Sequence, residues 1–289
     1  MLSERENIRL EKSTDNNYKS MPTLKSIIKK LSILIVILTV LSYWSQQYDA
    51  EFDEYLSEES SLENGPCNVS RVKVQGEICT YIIEGESDVS SSEDIVFAIE
   101  KAEQDESIKA ILLTVDSYGG GVVTGEEIAN ALKRTQKPTV VVIRGAGASG
   151  AYWAATGADR VFASSSSDVG GIGVTMSYLD NSKKNEADGL TYNGLSAGKF
   201  KDTGNPDKTL TEEEKRLLQR DVDIVHEKFI SAVAINRNLD IEKVRILADG
   251  STMMGDTALA NGLIDQIGGV FEAREYLKGI IGEDATVCQ

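Results

Sequence analysis

Ser149 is the residue of this chain whose neighbours best suit it to act as a nucleophile. It lies in Gly145-Ala146-Gly147-Ala148-Ser149-Gly150-Ala151-Tyr152-Trp153, just after the β-branched run Thr139-Val140-Val141-Val142-Ile143. The run reads as a buried strand and Ala151 to Ala155 as the first turns of a helix, so Ser149 sits at a strand-to-helix junction. Free amides and the positive end of a helix dipole meet at such a junction and favour a developing alkoxide or oxyanion. Small neighbours let a substrate backbone approach closely. Taken alone, the string also reads as a glycine-rich turn with a capping serine.

A second glycine segment, Asp116-Ser117-Tyr118-Gly119-Gly120-Gly121, follows the apolar run Ala110 to Val115 and precedes a helical pattern from about Thr124 to Gln136. Its glycines can take positive φ and present N–H groups, as an oxyanion hole requires. A phosphate cradle or a plain connection would use the same residues, but no Gly-Lys-Ser/Thr ending follows, which argues against a Walker loop.

Together the two segments resemble the signal peptide peptidase SppA family, membrane-bound serine peptidases of the ClpP/crotonase fold. Further stretches carry the resemblance across residues 69 to 285: Ala158-Asp159-Arg160-Val161-Phe162-Ala163-Ser164, Gly170-Gly171-Ile172-Gly173-Val174-Thr175-Met176, Gly198-Lys199-Phe200-Lys201-Asp202, and Ala248-Asp249-Gly250 through Gly262-Leu263-Ile264-Asp265. The resemblance implies Ser149 as nucleophile, Lys201 as general base, and the amides of Gly120 and Gly150 as the oxyanion hole. Lys199 is the alternative base, two residues away and on the same side of an extended strand. Tyr118 departs from the family, which usually has proline there.

The single histidine, His226, bears on the choice of base. It falls in a helical pattern from Thr211 to Ala234 that opens with Thr211 and Glu214 as a capping box. This reads as a surface or interface position, which leaves a Ser-His-Asp triad with one poor candidate for its base. A Ser-Lys dyad needs no histidine, but its lysine must be neutral, through burial or a nearby positive charge that lowers a pKa of about 10.4.

The elements that must position these residues alternate along the chain. Strand 71–78, helix 92–104, strand 110–115, helix 124–136, strand 139–143, helix 149–156, strand 160–163 and strand 172–176 suit right-handed βαβ units. Both oxyanion donors then lie at the carboxyl ends of strands, where open α/β sheets place their sites. The expected fold is α/β, of stacked βαβ units resembling the ClpP/crotonase fold, in a domain spanning 69–289. Three cysteines, Cys67, Cys79 and Cys288, show no metal spacing. A strand between Cys67 and Cys79 holds them apart, and no structural disulfide is expected. A net charge of −16 disfavours nucleic acid as a partner.

Residues 31–48 carry no charge and, as a helix, reach about 27 Å, enough to span a membrane with snorkelling lysines and Tyr43 and Trp44 at the interface. Lys19, Lys25, Lys29 and Lys30 precede this span, and Asp49, Glu51, Asp53, Glu54, Glu58, Glu59 and Glu63 follow it. The positive-inside rule therefore puts 1–30 in the cytoplasm and the rest outside, in the periplasm or beyond. Ser42-Tyr43-Trp44 is too bulky for a signal-peptidase site, so the span reads as an uncleaved anchor. Residues 49–68 form an acidic linker.

The reading is a serine endopeptidase anchored in the cytoplasmic membrane, with no metal or organic cofactor. By the resemblance its substrates are cleaved signal peptides or other unfolded apolar segments. The polar stretch Asp180 to Lys208 has little to fold against in its own core. It agrees with the homo-oligomer implied by the family, in which the serine of one subunit faces the lysine of the next. The alternatives are a crotonase-type acyl-CoA hydratase, isomerase or thioesterase, which an external location disfavours, and an inert membrane scaffold, which gives Ser149 and Lys201 no common purpose.

Overall fold

The computed structural model describes residues 67–82 and 88–288. Its elements are β1 (Val69–Cys79), β2 (Val89–Ser91), α1 (Ser92–Gln104), β3 (Ala110–Gly120), α2 (Val122–Arg134), β4 (Thr139–Ala148), α3 (Gly150–Ala155), β5 (Arg160–Ala163), β6 (Asp168–Gly170), α4 (Ser182–Ala187), α5 (Glu212–Arg237), α6 (Ile241–Leu247), β7 (Thr252–Met254), α7 (Gly255–Asn261), β8 (Gln266–Ile267) and α8 (Val270–Ile281). The strands form one sheet in the order β2-β1-β3-β4-β5-β8, with β6 paired to β4 and β7. Every pairing is parallel except β6 with β7.

Parallel strands covered on both faces are apolar throughout, and here successive residues feed two cores. On one face Ile111, Leu113, Val115, Val141 and Ile143 pack with residues of α1, α2, α3 and α5. On the other, Ala110, Leu112, Val140, Val142 and Phe162 pack against Ala273 and Leu277 of α8. Helix α1 occupies the expected 92–104, capped by Ser91, whose side chain accepts from the Asp94 amide. The expected capping box of Thr211 and Glu214 opens α5.

Strands β3 and β4 run further than expected. The ladder shifts register between Val115 and Ser117, resumes at Ser117 opposite Gly147, and β3 then pairs Gly119 and Gly120 with Glu77 and Ile78 of β1. Bulges of this kind re-aim a strand. Ser117 satisfies this one, its Oγ donating to the Gly76 carbonyl at 2.6 Å and accepting from the Gly119 amide at 3.0 Å. Asp116 to Gly120 is therefore strand rather than turn, and α2 starts at Val122, two residues early, because Gly121 is its N-cap. Strand β4 continues to Ala148 because β6 pairs with its end.

The expected strand 172–176 does not form. Gly170 and Gly171 both take positive φ, 102° and 60°, and turn the chain out of the sheet, so β6 ends at Gly170. Residues 174–181 are irregular. Among the described residues no helix is long and apolar enough to cross a membrane. The expected span 31–48, the segment 1–30 and most of the linker 49–68 lie outside those residues.

A disulfide joins Cys67 to Cys288, against the expectation of none, and Cys79 is free. The partner comes from the far end of the chain, which runs beside the start of β1: Val287 bridges Val69, the Val69 amide donates to Thr286 O, and the Cys288 amide donates to Val69 O. The strand that separates Cys67 from Cys79 is no obstacle to a bond 221 residues distant in sequence. Closing so long a loop restricts the unfolded chain, and losing such a bond costs about 2–5 kcal/mol. Cys288→Ser should lower the thermal midpoint by several degrees, and a reducing agent should lower the wild-type midpoint to match while leaving the variant unchanged. Equal midpoints for oxidised wild type and variant would contradict the staple.

Candidate active site

Ser149 has φ 53° and ψ −127°, a backbone conformation that side-chain-bearing residues rarely adopt and that costs on the order of 1–3 kcal/mol. The surroundings hold it there. Its amide donates to Gly170 O at 2.8 Å, fixing the end of β4 to β6, and its carbonyl accepts from the Trp153 amide at 3.0 Å as α3 begins. A sharp strand-to-helix turn of this type presents a serine hydroxyl at the top of a sheet. Among the described residues Ser149 Oγ makes no hydrogen bond, and the side chain opens into a cavity of about 500 Å³.

The two predicted oxyanion residues come together beside it. A Cβ built on Gly150 would lie 3.5 Å from the Gly120 nitrogen, and one on Gly119 would lie 2.9 Å from Ser149 Cβ and 2.7 Å from the Gly150 nitrogen. Any side chain at Gly119, where φ is +99°, would fill the space between β3 and the serine. Gly150 begins α3, so its N–H has no partner within the helix. Gly120, Ser149, Tyr118 and Val122 all line the cavity.

Tyr118 stands at the rim, exposed, with its hydroxyl donating to Asp168 Oδ2 at 3.0 Å. That hydrogen bond, strengthened by the carboxylate's charge, raises the phenol above its ordinary pKa. The residue in place of the usual proline therefore ties β3 to β6 across the mouth of the site.

Neither candidate lysine lines this cavity within one chain. Lys199 is paired with Glu213 on α5. Lys201 is exposed and, among the described residues, has no ion-pair partner. Their segment is pinned to the first turn of α5: Lys208 Nζ lies 2.7 Å from Glu214 Oε1, and Thr203 Oγ1 lies 3.3 Å from the same oxygen. Lys208 and the Thr211 amide hold the Glu214 carboxyl at about 2, against an ordinary 4.5. Tyr192 and Asn205 hold Asp202 below its ordinary value.

His226 does line the Ser149 cavity, where the sequence suggested only a surface or interface position. Its Nε2 is buried with no hydrogen-bond partner among the described residues. The helical pattern locates His226 on a helix, but not which face meets the sheet. That is set by Phe229 on α5, which stacks on Trp153 of α3 with ring centroids 4.8 Å apart. Trp153 is four residues after the serine and His226 three before Phe229, on the same helical face. Asp249 also reaches the cavity wall, with its Oδ1 accepting from the Ser251 amide and hydroxyl. A second cavity of about 550 Å³, between α1 and α2, has Tyr81, Phe97, Glu127 and Arg134 among its walls and shares no residue with the first.

The model for peptidase family S49 matches residues 131–280, just over half the chain, and that for Clp protease matches residues 71–168. A protein of Enterococcus faecium named "Putative signal peptide peptidase SppA" is 35% identical over 230 residues, covering 76% of this chain and 66% of its own length. A protein of Synechocystis named as a protease is 32% identical over 218 residues, 75% of each chain. Protease 4 of Haemophilus influenzae is 31% identical over 241 residues, 81% of this chain but 38% of its own. The chain thus spans about two thirds of the first of these relatives and much less of the last. The Clp match agrees with the mixed α/β sheet described above. The chain belongs to peptidase family S49, and its expected chemistry, that of a serine hydrolase acting on peptide bonds, is the chemistry of its family.

Proposed function

We propose that this protein is a membrane-anchored serine endopeptidase in which Ser149 of one subunit works with Lys201 of a neighbouring copy. The observation that carries the reading is the strained turn at Ser149, with the amides of Gly120 and Gly150 beside it. Ser149 Oγ attacks a peptide carbonyl carbon while the neutral Lys201 amine takes its proton. The carbonyl oxygen becomes an oxyanion held by the two amides. The C–N bond then breaks, the leaving amine takes the proton from Lys201, and an acyl-enzyme forms on Ser149. Water, deprotonated by the same lysine, attacks the ester, releases the acid and restores the serine.

Three features support Lys201 acting between subunits. Lys199 is already occupied by Glu213, whereas Lys201 has no ion-pair partner among the described residues. The lysine segment is fastened to the start of α5 and His226 lies in the cavity 13 residues along that helix from Glu213, a separation of about 20 Å at about 1.5 Å per residue. The chain leading into that segment exposes Met176, Tyr178, Leu179, Leu190 and Leu195, an apolar set that suits burial against a second copy.

The Cys67–Cys288 disulfide supports the peptidase domain, 69–289, standing outside the cytoplasm, because such bonds persist in oxidising compartments. That agrees with the charge pattern around residues 31–48 and with a tether of 49–68. The name of the Enterococcus faecium relative favours remnant signal peptides as substrates, and a site tethered to a bilayer would meet them.

Ser149→Ala should abolish hydrolysis of an apolar fluorogenic peptide and labelling by a fluorophosphonate, with the circular dichroism spectrum unchanged. Lys201→Met should lower turnover by at least a hundredfold and Lys199→Met by less than tenfold, on the scale of general base catalysis. A folded, active Ser149→Ala protein would overturn the reading, and a dead Lys199→Met beside a normal Lys201→Met would move the base by two residues.

The anchoring of the lysine segment carries its own pH dependence. Because folding depresses the Glu214 pKa, the stabilisation is present above its ordinary 4.5 and is lost as pH falls through about 2. Amide exchange of residues 199–209, corrected for intrinsic rates, should be flat from about pH 5 to 8 and accelerate in acid. Glu214→Gln should accelerate it at neutral pH. Unchanged protection in that variant would show the segment to be held otherwise.

A further inference from the structure

The two halves of the Ser149 site are each fastened to β6. On the serine half, the Ser149 amide donates to Gly170 O at 2.8 Å. On the glycine half, the Tyr118 hydroxyl donates to Asp168 Oδ2 at 3.0 Å. Asp168 and Gly170 are the first and last residues of a three-residue strand that pairs with β4 on one side and β7 on the other. The two points of attachment therefore keep a fixed separation.

The glycine half needs this attachment because the sheet holds it along one edge only. Gly119 and Gly120 pair with Glu77 and Ile78 of β1, and the Gly121 amide donates to Ile78 O at 2.9 Å. Toward β4 the ladder ends at Ser117, opposite Gly147. Beyond that point the β3 backbone can pivot about β1, and a pivot changes its distance from α3. The gap there is small, since a Cβ on Gly119 would lie 2.7 Å from the Gly150 nitrogen. Even a slight shift alters how the Gly120 and Gly150 amides converge. The bond from Tyr118 opposes that pivot, and a hydroxyl on a carboxylate makes a stronger bond than one on a neutral acceptor. It lies at the exposed rim, so its loss loosens the segment without unfolding the domain.

We propose that Tyr118 is a positioning residue: through its hydrogen bond to Asp168 it sets the distance of the Gly120 amide from Ser149 and Gly150, so that both amides meet the oxyanion together. The proposal rests on the oxyanion-hole reading of these two glycines. Donors aimed at a developing charge stabilise it most when their geometry is fixed in advance. Because that charge appears only in the transition state, loosening the hole lowers kcat and leaves KM in place.

Tyr118→Phe keeps the ring and removes the bond. Its kcat on an apolar peptide should fall by about tenfold with KM within about twofold of wild type, and its affinity for a peptide aldehyde, to which Ser149 adds as a tetrahedral adduct, should fall by a similar factor. Asp168→Ala should match it, and Asp168→Asn, which keeps an acceptor, should lose less. The double variant Tyr118→Phe/Asp168→Ala should be no worse than either single one, because both remove the same bond. Amide exchange reads the attachment without catalysis. The Gly119 amide donates to Ser117 Oγ at 3.0 Å and the Gly121 amide to Ile78 O, and both should exchange faster in Tyr118→Phe. Unchanged exchange would overturn the proposal whatever the chemistry of the site. So would faster exchange with unchanged kcat and aldehyde affinity, a loss confined to KM, or effects of Tyr118→Phe and Asp168→Ala that multiply in the double variant. Hydrolysis retained in Ser149→Ala would instead overturn the peptidase reading, and the role of Tyr118 in catalysis with it.

Discussion

The site depends on how closely β3 approaches the first turn of α3. The bulge after Val115 and the pairing of Gly119 and Gly120 with the end of β1 carry the β3 backbone past the sheet. There a single methyl at Gly119 would collide with Ser149 and Gly150. On the opposite side, the hydrogen bond from the Ser149 amide to Gly170 O ties the serine to β6. Held from both sides, Ser149 keeps a backbone conformation that a free chain would relax, and the surrounding packing sustains that strain. The result is a hydroxyl placed between two strand ends and next to two glycine amides, the geometry on which the proposed oxyanion hole rests.

Helix α5 extends this arrangement in two directions. Its C-terminal half is bound to α3 and to Asp265 through Phe229, Asn236 and Arg237, which brings His226 into the serine's cavity. Its first turn is bound instead to the lysine segment through Glu213 and Glu214. One rigid element thus holds part of the cavity wall near its own serine and carries a lysine away from it. This division is the physical argument for the proposed base from a second copy.

Much of the frame was legible in the sequence, because each element that could be read had a local cause. Continuous apolar runs located β3 and β4, the capping box of Thr211 with Glu214 marked a helix start, and the clustered glycines located the Ser149 turn. Most of the missed features depend on partners distant in sequence. Strands β3 and β4 lengthen because β1 and β6 pair with their ends, and residues 172–176 leave the sheet because two consecutive glycines turn the chain. Cys67 finds Cys288 because the C-terminus runs beside β1. Among site residues, the pairing of Gly120 with Gly150 was implied by the family resemblance, whereas the position of His226 depends on a helix face chosen by the stack of Phe229 on Trp153.

The central claim, a dyad completed by two copies, is tested most directly by complementation. Ser149→Ala and Lys201→Met chains, each inactive alone, are unfolded, mixed in equal amounts and refolded together, with assembly followed by size-exclusion chromatography. In a ring assembled at random, roughly a quarter of the interfaces join an intact serine to an intact lysine, so roughly a quarter of the wild-type peptidase activity should return. A mixture that assembles to the wild-type size but stays inactive would contradict the account and place serine and base within a single chain.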